Sequence, residues 1–353
     1  MTQSLPFTPD SITAAADLIA RAEPVAVPTE TVYGLAGDAT SGAAITAIYA
    51  AKGRPSFNPL IVHVLDLAAA EKLAVFDEAA RALAAAFWPG PLTLVLPRRA
   101  DCPVASIATA GLPTIALRVP AHPAMRALLK ACGKPLAAPS ANASGSISPT
   151  KAAHVLASLE GHIPLIIDGG ACAVGLESTI VAVGQAGGQS GLRLLRPGVV
   201  TAEMLRAATG LPVSAASGDK IEAPGQMLSH YAPSKPLRLN AEKAEAGEYL
   251  IGFGAVAGDF NLSPTADLAQ ALRHFLMRST LPMPPRIPAS PSHLFRMRGL
   301  GWRLMIVWRG LRLSDSLVAH FPLKHIRIRL GLSYDQPPSY RYRWPWHGGR
   351  RRD

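Results

Sequence analysis

Cysteine is scarce. Cys102, Cys132 and Cys172 are the only three, they form no C-x-x-C, and an odd number cannot all pair. A disulfide framework and a structural zinc site are thereby excluded, and a reducing compartment is implied. No G-x-x-x-x-G-K-[ST] occurs, which rules out a P-loop, and no Ser-His-Asp constellation stands out. Met1 to Asp10 lacks a basic start and an apolar stretch, and no uncharged apolar run reaches the length of a membrane span. The expectation is a cytoplasmic protein without membrane association. Two residue types run out late in the chain: after Ala271 there is no Glu and no Asn.

That last absence divides the charge. Of 35 Lys+Arg and 24 Asp+Glu, residues 1–270 hold 19 and 21, a net of −2, and residues 271–353 hold 16 and 3, a net of +13. The overall +11 therefore belongs to the tail. The body alone has no excess charge to draw it onto a nucleic-acid backbone.

A chain of 353 residues exceeds what one core usually serves, so two domains are expected. Apolar runs of strand length at 24–28, 60–65, 93–97, 114–119, 135–138, 164–167, 178–183 and 192–196 alternate with Ala-rich helical stretches at 10–21, 41–51, 67–74, 77–87, 123–132, 150–159 and 201–209. That alternation predicts an α/β layer fold with a largely buried sheet, whose ligands bind where strands end. Residues 213–236 are rich in Ser, Gly, Pro and Ala and read as a linker. Glu248 to Gly254 then reads as a strand, and Asn261 to Thr265 as a capped entry to a helix over Ala266 to Ala271.

Three cassettes carry the chemistry. Pro28-Thr29-Glu30-Thr31-Val32-Tyr33-Gly34-Leu35 ends a short strand in a hydroxyl-rich turn opened by Gly34. Lys52-Gly53-Arg54-Pro55 runs into Asn58-Pro59-Leu60-Ile61-Val62-His63-Val64 and sets two cations beside a glycine, just before a strand. Pro139-Ser140-Ala141-Asn142-Ala143-Ser144-Gly145 leads to Ser148-Pro149-Thr150 and a helical stretch from Lys151, where small residues admit a close ligand and a helix start offers free N–H groups. Each cassette alone reads more readily as a turn, a cap or a solvated charge. Together they describe a site for an anion that must be neutralised and oriented.

In this order the cassettes resemble the YrdC-like family of threonylcarbamoyl-AMP synthases. Thr114 to Pro120, Glu177-Ser178-Thr179-Ile180-Val181 and Leu195-Arg196-Pro197-Gly198 extend the likeness over residues 8–212, and Ala223 to Met227 with Ser229-His230-Tyr231-Ala232-Pro233 resembles the linker of the two-domain members. The resemblance implies a YrdC-like twisted mixed sheet with helices over 8–212, a linker covering the active site over 213–236, and the start of a smaller Rossmann-like domain over 237–271. It also implies formation of threonylcarbamoyl-AMP and diphosphate from L-threonine, bicarbonate or CO2, and ATP, with Mg2+ accompanying the ATP. The product would feed the downstream tRNA threonylcarbamoyl transferase machinery, with a contact to tRNA. By matching position, Thr31, His63, Arg118, the backbone at Ala138, and Ser178 would bind threonine. Arg54, Asn58, Thr114, Ser140, Ser148, Arg196 and Tyr231 would bind ATP, with Lys52 and Asn142 as additional phosphate contacts. The competing readings are an RNA-binding module of the same fold and a carbamoyl-transfer enzyme with another acceptor.

The tail over 272–353 fits neither domain. It holds four of the five Trp, two Pro-Pro pairs and Arg throughout, and no period survives beyond patches such as His325 to Leu330. With GC-rich codons, starting each triplet one base early makes Trp302-Arg303, Trp308-Arg309 and Met297-Arg298 read Ala, while Met305-Ile306 reads Asp. Phe295 to Leu311 then resembles the family's closing helix. The tail therefore reads as out-of-frame text beginning near Ala271, which would leave the Rossmann-like domain disrupted. Limited proteolysis is expected to trim the chain to a stable fragment ending between roughly residues 210 and 270. A single protease-resistant species of full length contradicts that reading, and so does an intact frame on resequencing the DNA near codon 271.

Overall fold

The computed structural model describes residues 1–55, 58–186, 189–215, 223, 237–239, 249–256, 259–267, 270–271, 274 and 295–297. All of these lie in one compact unit, Met1–Leu313. Its N-terminal part is an α/β layer of β1 (Gln3–Pro6), α1 (Pro9–Ala20), β2 (Val25–Pro28), β3 (Tyr33–Asp38), α2 (Gly42–Lys52), β4 (Ile61–His63), α3 (Leu67–Glu71), α4 (Glu78–Phe87), β5 (Leu92–Pro97), β6 (Thr114–Arg118), α5 (Pro123–Cys132), β7 (Leu136–Ala137), α6 (Ala152–Leu159), β8 (Leu165–Asp168), β9 (Thr179–Ala186), β10 (Gln189–Arg196), α7 (Ala202–Thr209) and β11 (Val213–Ala215). Helix starts follow their capping residues: Thr8 closes a capping box with Ser11, and Ser41, Asp66, Asp77 and Thr201 each accept a backbone N–H.

The sheet has 11 strands in the order β1-β8-β2-β3-β7-β4-β6-β5-β9-β10-β11. Parallel and antiparallel junctions are mixed: β4 runs parallel to β6, whereas β7 is antiparallel to both β3 and β4. Side chains alternate between faces. Leu94, Leu96, Ile115 and Leu117 enter the large apolar cluster, while their neighbours Val95 and Ala116 join Ile61, Ile180, Ala182 and Leu195 in a separate one. A third cluster packs Val25, Val27 and Ile167 against Ile12 and Ile19 of α1 and Met125 and Leu128 of α5.

The expected helices are present, with 67–74 shortened to Leu67–Glu71 and 150–159 beginning at Ala152. Three strands of this sheet went unread: β1, β3 and β11. Of these, β3 matters most, because Tyr-Gly-Leu-Ala-Gly-Asp has the composition of a turn yet every residue is buried. Its first glycine sits in a close approach, since a Cβ on Gly34 would lie 3.2 Å from the Cβ of Ala138 and would press the two segments apart by a few tenths of an ångström.

A second, four-stranded sheet contains β12 (Leu237–Leu239), β13 (Tyr249–Gly252), β14 (Phe260–Asn261) and β15 (Phe295–Met297), ordered β12-β15-β13-β14 and parallel throughout. The strand expected over 248–254 is β13. Of the helix expected over Ala266 to Ala271, Gln270 and Ala271 are helical, whereas Ala266 and Asp267 are not, Ala266 having a left-handed φ of 58°. The tail, expected to supply no periodic element, supplies β15, because ladder pairing uses main-chain groups that every non-proline residue carries. The patch at 325–330 lies outside the described residues. Among the described residues no helix is long and apolar enough to cross a membrane.

Leu117→Ala removes a fully buried side chain from the central strand β6. Urea unfolding of the full chain, followed by circular dichroism, is expected to show a loss of about 2–5 kcal/mol.

Candidate functional site

The register of β4 against β6 builds one wall of a cleft open to solvent. Ile61 pairs with Ala116 and His63 with Arg118, so all four lie on the same face of the sheet. Arg118 is 4% exposed; its Nη2 donates to Glu30 Oε1 at 2.6 Å and its Nε to the Gly90 carbonyl at 3.2 Å. The other Glu30 oxygen accepts from the Ala121 amide. Burial pushes the Glu30 carboxyl up, but the Arg118 charge and hydrogen bond outweigh it and hold its pKa below the ordinary value. His63 is 2% exposed, and its Nδ1 is buried without a hydrogen-bond partner among the described residues. Burial, reinforced by the Arg118 charge, lowers its pKa to about 3, so the ring is neutral.

A bulge builds the opposite wall. Leu194 stands opposite Val181, but Arg196 stands opposite Ile180, so Leu195 and Arg196 share one partner and Arg196 is turned to the site face. Its Nη1 donates to Glu177 Oε2 at 2.6 Å, while Nε and Nη2 hold the Ser178 carbonyl and Nη2 reaches Ser178 Oγ at 3.0 Å. Ser178 Oγ also meets Thr93 Oγ1 at 2.7 Å. Ser148 Oγ donates to Glu177 Oε1 at 2.6 Å. Gly198 is needed beside this wall, since a Cβ there would sit 2.5 Å from the Thr179 amide nitrogen.

The third side is the loop from Pro139. Leu35 N donates to the Pro139 carbonyl and Ala141 N to the Tyr33 carbonyl, so β3 pins the loop. Lys52 Nζ donates to the carbonyls of Ser140 and Asn142, and Ser144 N returns a bond to the Lys52 carbonyl. Burial, with the nearby Arg54 charge, lowers the Lys52 pKa to about 7. Arg54 is 8% exposed and donates to the carbonyls of Asn58 and Pro59. Among the described residues it forms no ion pair, and burial lowers its pKa to about 10.

Of the residues expected from sequence, the cleft is lined by Thr31, His63, Arg118, Ala138 and Ser178, and by Arg54, Ser140 and Arg196. Thr114, Asn58, Ser148, Lys52 and Asn142 are not on its wall. Thr114 opens β6 at the far end from Arg118. Ser148 caps no helix: its hydroxyl goes to Glu177, and Lys151 stands at the start of α6 with no side-chain cap. The amide of Asn142 bonds its own loop at Ala143 and Ser146. Tyr231 lies outside the described residues, as does most of the linker. Ala223 from that linker is fully buried in the cluster of Ile61, Val95, Ala116, Ile180, Ala182 and Leu195, and Ile61 is itself a wall of the cleft. No group of three His, Cys, Asp or Glu suited to a metal occurs among the described residues. The acidic residues at this site, Glu30 and Glu177, are both held by arginines.

The family model described as "Telomere recombination", for Sua5, YciO and YrdC proteins, matches residues 17–198. A second, described as "Threonylcarbamoyl-AMP synthase, C-terminal domain", matches 200–278 and so ends seven residues beyond Ala271. The threonylcarbamoyl-AMP synthase of Bacillus subtilis strain 168 is 44% identical over 257 residues, covering 71% of this chain and 72% of the relative. The chain belongs to the threonylcarbamoyl-AMP synthase family. The enzyme of that name from Pyrococcus abyssi is 44% identical over 290 residues, 74% of this chain and 84% of the relative. The crystal structure of P. abyssi Sua5 complexed with L-threonine superposes with a TM-score of 0.72 at 32% identity, covering 85% of this chain and 92% of that one. The family's members are nucleotidyltransferases.

Sequence reasoning assigned no role to Glu30 and Glu177, although both lie inside the motifs of this synthase family. The available signal was their position: each is a carboxylate inside a motif rich in hydroxyls and close in space to an arginine motif, which only the fold reveals.

His63 yields a pH prediction. The unfolded chain takes up a proton near pH 6.5, whereas the folded chain resists it until about pH 3. Stability is therefore lost as pH falls through that window. His63→Asn is expected to flatten the slope of stability against pH there by up to one proton, about 1.4 kcal/mol per pH unit, measured by urea unfolding from pH 7 to 4.

Proposed function

We infer that this protein makes threonylcarbamoyl-AMP from L-threonine, bicarbonate or CO2, and ATP, releasing diphosphate. The observation that carries the reading is Arg54. Its guanidinium is buried on two carbonyls with no ion pair among the described residues, Glu177 acting on it only at longer range, and an arriving phosphate would supply the close anion. His63, with its Nδ1 unpartnered, stands beside Arg118, and Thr31 and Ser178 line the same cleft, a set suited to an amino acid bearing a hydroxyl and a carboxylate. The P. abyssi relative, crystallised with L-threonine, supports that choice.

The amine of threonine adds CO2 and loses a proton to become a carbamate. A carbamate oxygen then attacks the α-phosphorus, and the bond to the bridging oxygen of diphosphate breaks. Alignment and charge neutralisation are what the step demands. Arg118, oriented by Glu30 and the Gly90 carbonyl, would hold the threonine carboxylate. Arg54, Ser140 and Arg196 would face the nucleotide, while Asn58, Ser148, Lys52 and Asn142 would support that side from behind the wall. Magnesium would enter on the triphosphate as part of the substrate, since both acidic side chains at the site are already ion-paired. The linker, anchored at Ala223, would carry Tyr231 over the cleft and exclude water from a labile acyl phosphate. The product would go to tRNA modification in the cytoplasm.

The test is diphosphate release from ATP with and without L-threonine and bicarbonate, and release that depends on neither refutes the reading. Arg118→Lys keeps a cation for Glu30 but loses the planar fork, so the KM for threonine is expected to rise about tenfold with that for ATP little changed. Arg54→Ala is expected to do the reverse. Equal losses for both substrates in both variants would reject these assignments.

A further inference from the structure

Glu177 is the acidic side chain that the proposed reaction leaves without a part. Its two partners both stand on the nucleotide side, and one of them carries its hold across to the threonine side: one carboxylate oxygen takes Ser148 Oγ at 2.6 Å and the other takes Arg196 Nη1 at 2.6 Å. Arg196 in turn holds the Ser178 carbonyl and hydroxyl. Ser148 and Arg196 belong to the nucleotide side, and Ser178 to the threonine side. Arg196 has limited freedom of its own, because the bulge that aims it places Leu195 and Arg196 opposite a single residue.

Building on the function inferred above, we propose that Glu177 is a positioning residue shared by both substrate sites. Its charge holds Arg196 against Ser178, and its second oxygen holds Ser148 behind the nucleotide wall, so one carboxylate orders both sides of the cleft. A carboxylate is required for the double role. It offers two acceptors and a charge for the guanidinium, whereas an amide offers one acceptor and turns an NH2 toward one of the two donors. The burial of the pair makes its geometry strict.

The expected signature is a loss on both sides from one substitution and on one side from its neighbours. Calorimetric titration of the full chain with L-threonine, and separately with an ATP analogue carrying a methylene between the α and β phosphates, gives a dissociation constant and a stoichiometry for each. Glu177→Gln is expected to weaken both ligands about tenfold with stoichiometry unchanged, and Ser148→Ala only the nucleotide analogue. Glu177→Asp keeps the charge but withdraws it by one methylene. It cannot span both partners, so it should show the same double loss and carries the test if the glutamine variant does not fold. A fall in stoichiometry with unchanged dissociation constants means Glu177 only supports the fold and overturns the proposal, as does weakening of one ligand alone in both Glu177 variants. A wild-type chain that binds neither ligand overturns the functional reading and this proposal together.

Discussion

Arg54, Arg118 and Arg196 are each less than one-tenth exposed, and a buried guanidinium must be met by an anion or by carbonyl oxygens. Two of them are met by glutamates, Arg118 by Glu30 and Arg196 by Glu177. The third rests on two carbonyls. This arrangement orders the cleft. Glu30 ties the turn after β2 to the end of β6 and the entry to α5, and Glu177 ties the entry to β9 to the bulged end of β10 and to Ser148. Breaking either pair would strand a charge in a dry wall, a larger penalty than losing a surface ion pair.

The same constraint separates groups available to a ligand from groups already employed. Arg196 has its Nε and both terminal nitrogens committed to Glu177 and Ser178, and Lys52 holds two loop carbonyls, so both act first on the protein. Arg54, held by carbonyls but in no ion pair among the described residues, and the Nδ1 of His63 are the groups left to a ligand. A basic residue inside a nucleotide motif is therefore not automatically a phosphate ligand. Its partners in the folded chain decide whether it meets the ligand or orients something that does.

The linker extends this logic beyond the first sheet. Ala223 is small enough to lie flat among Ile61, Ala116 and Ile180 on the site face, so the chain leaving β11 returns to the sheet beside the cleft. An apolar anchor at that point costs the cleft no polar contact.

Much was legible in the chain itself. The alternation of apolar runs and Ala-rich stretches pointed to the layer fold and its helices, and the ordered motifs named the family and eight residues that line the cleft. These are local patterns, written in neighbouring residues. What tertiary structure alone decided depends on residues far apart. Strand β3 is buried on every side by elements its composition does not announce. Arg196 reaches the site through a bulge that pairing with β9 creates. Glu30 and Glu177 acquire their roles from arginines 88 and 19 positions away. A sequence states which groups are present, but which donor meets which acceptor is settled only when burial forces every charge to find a partner.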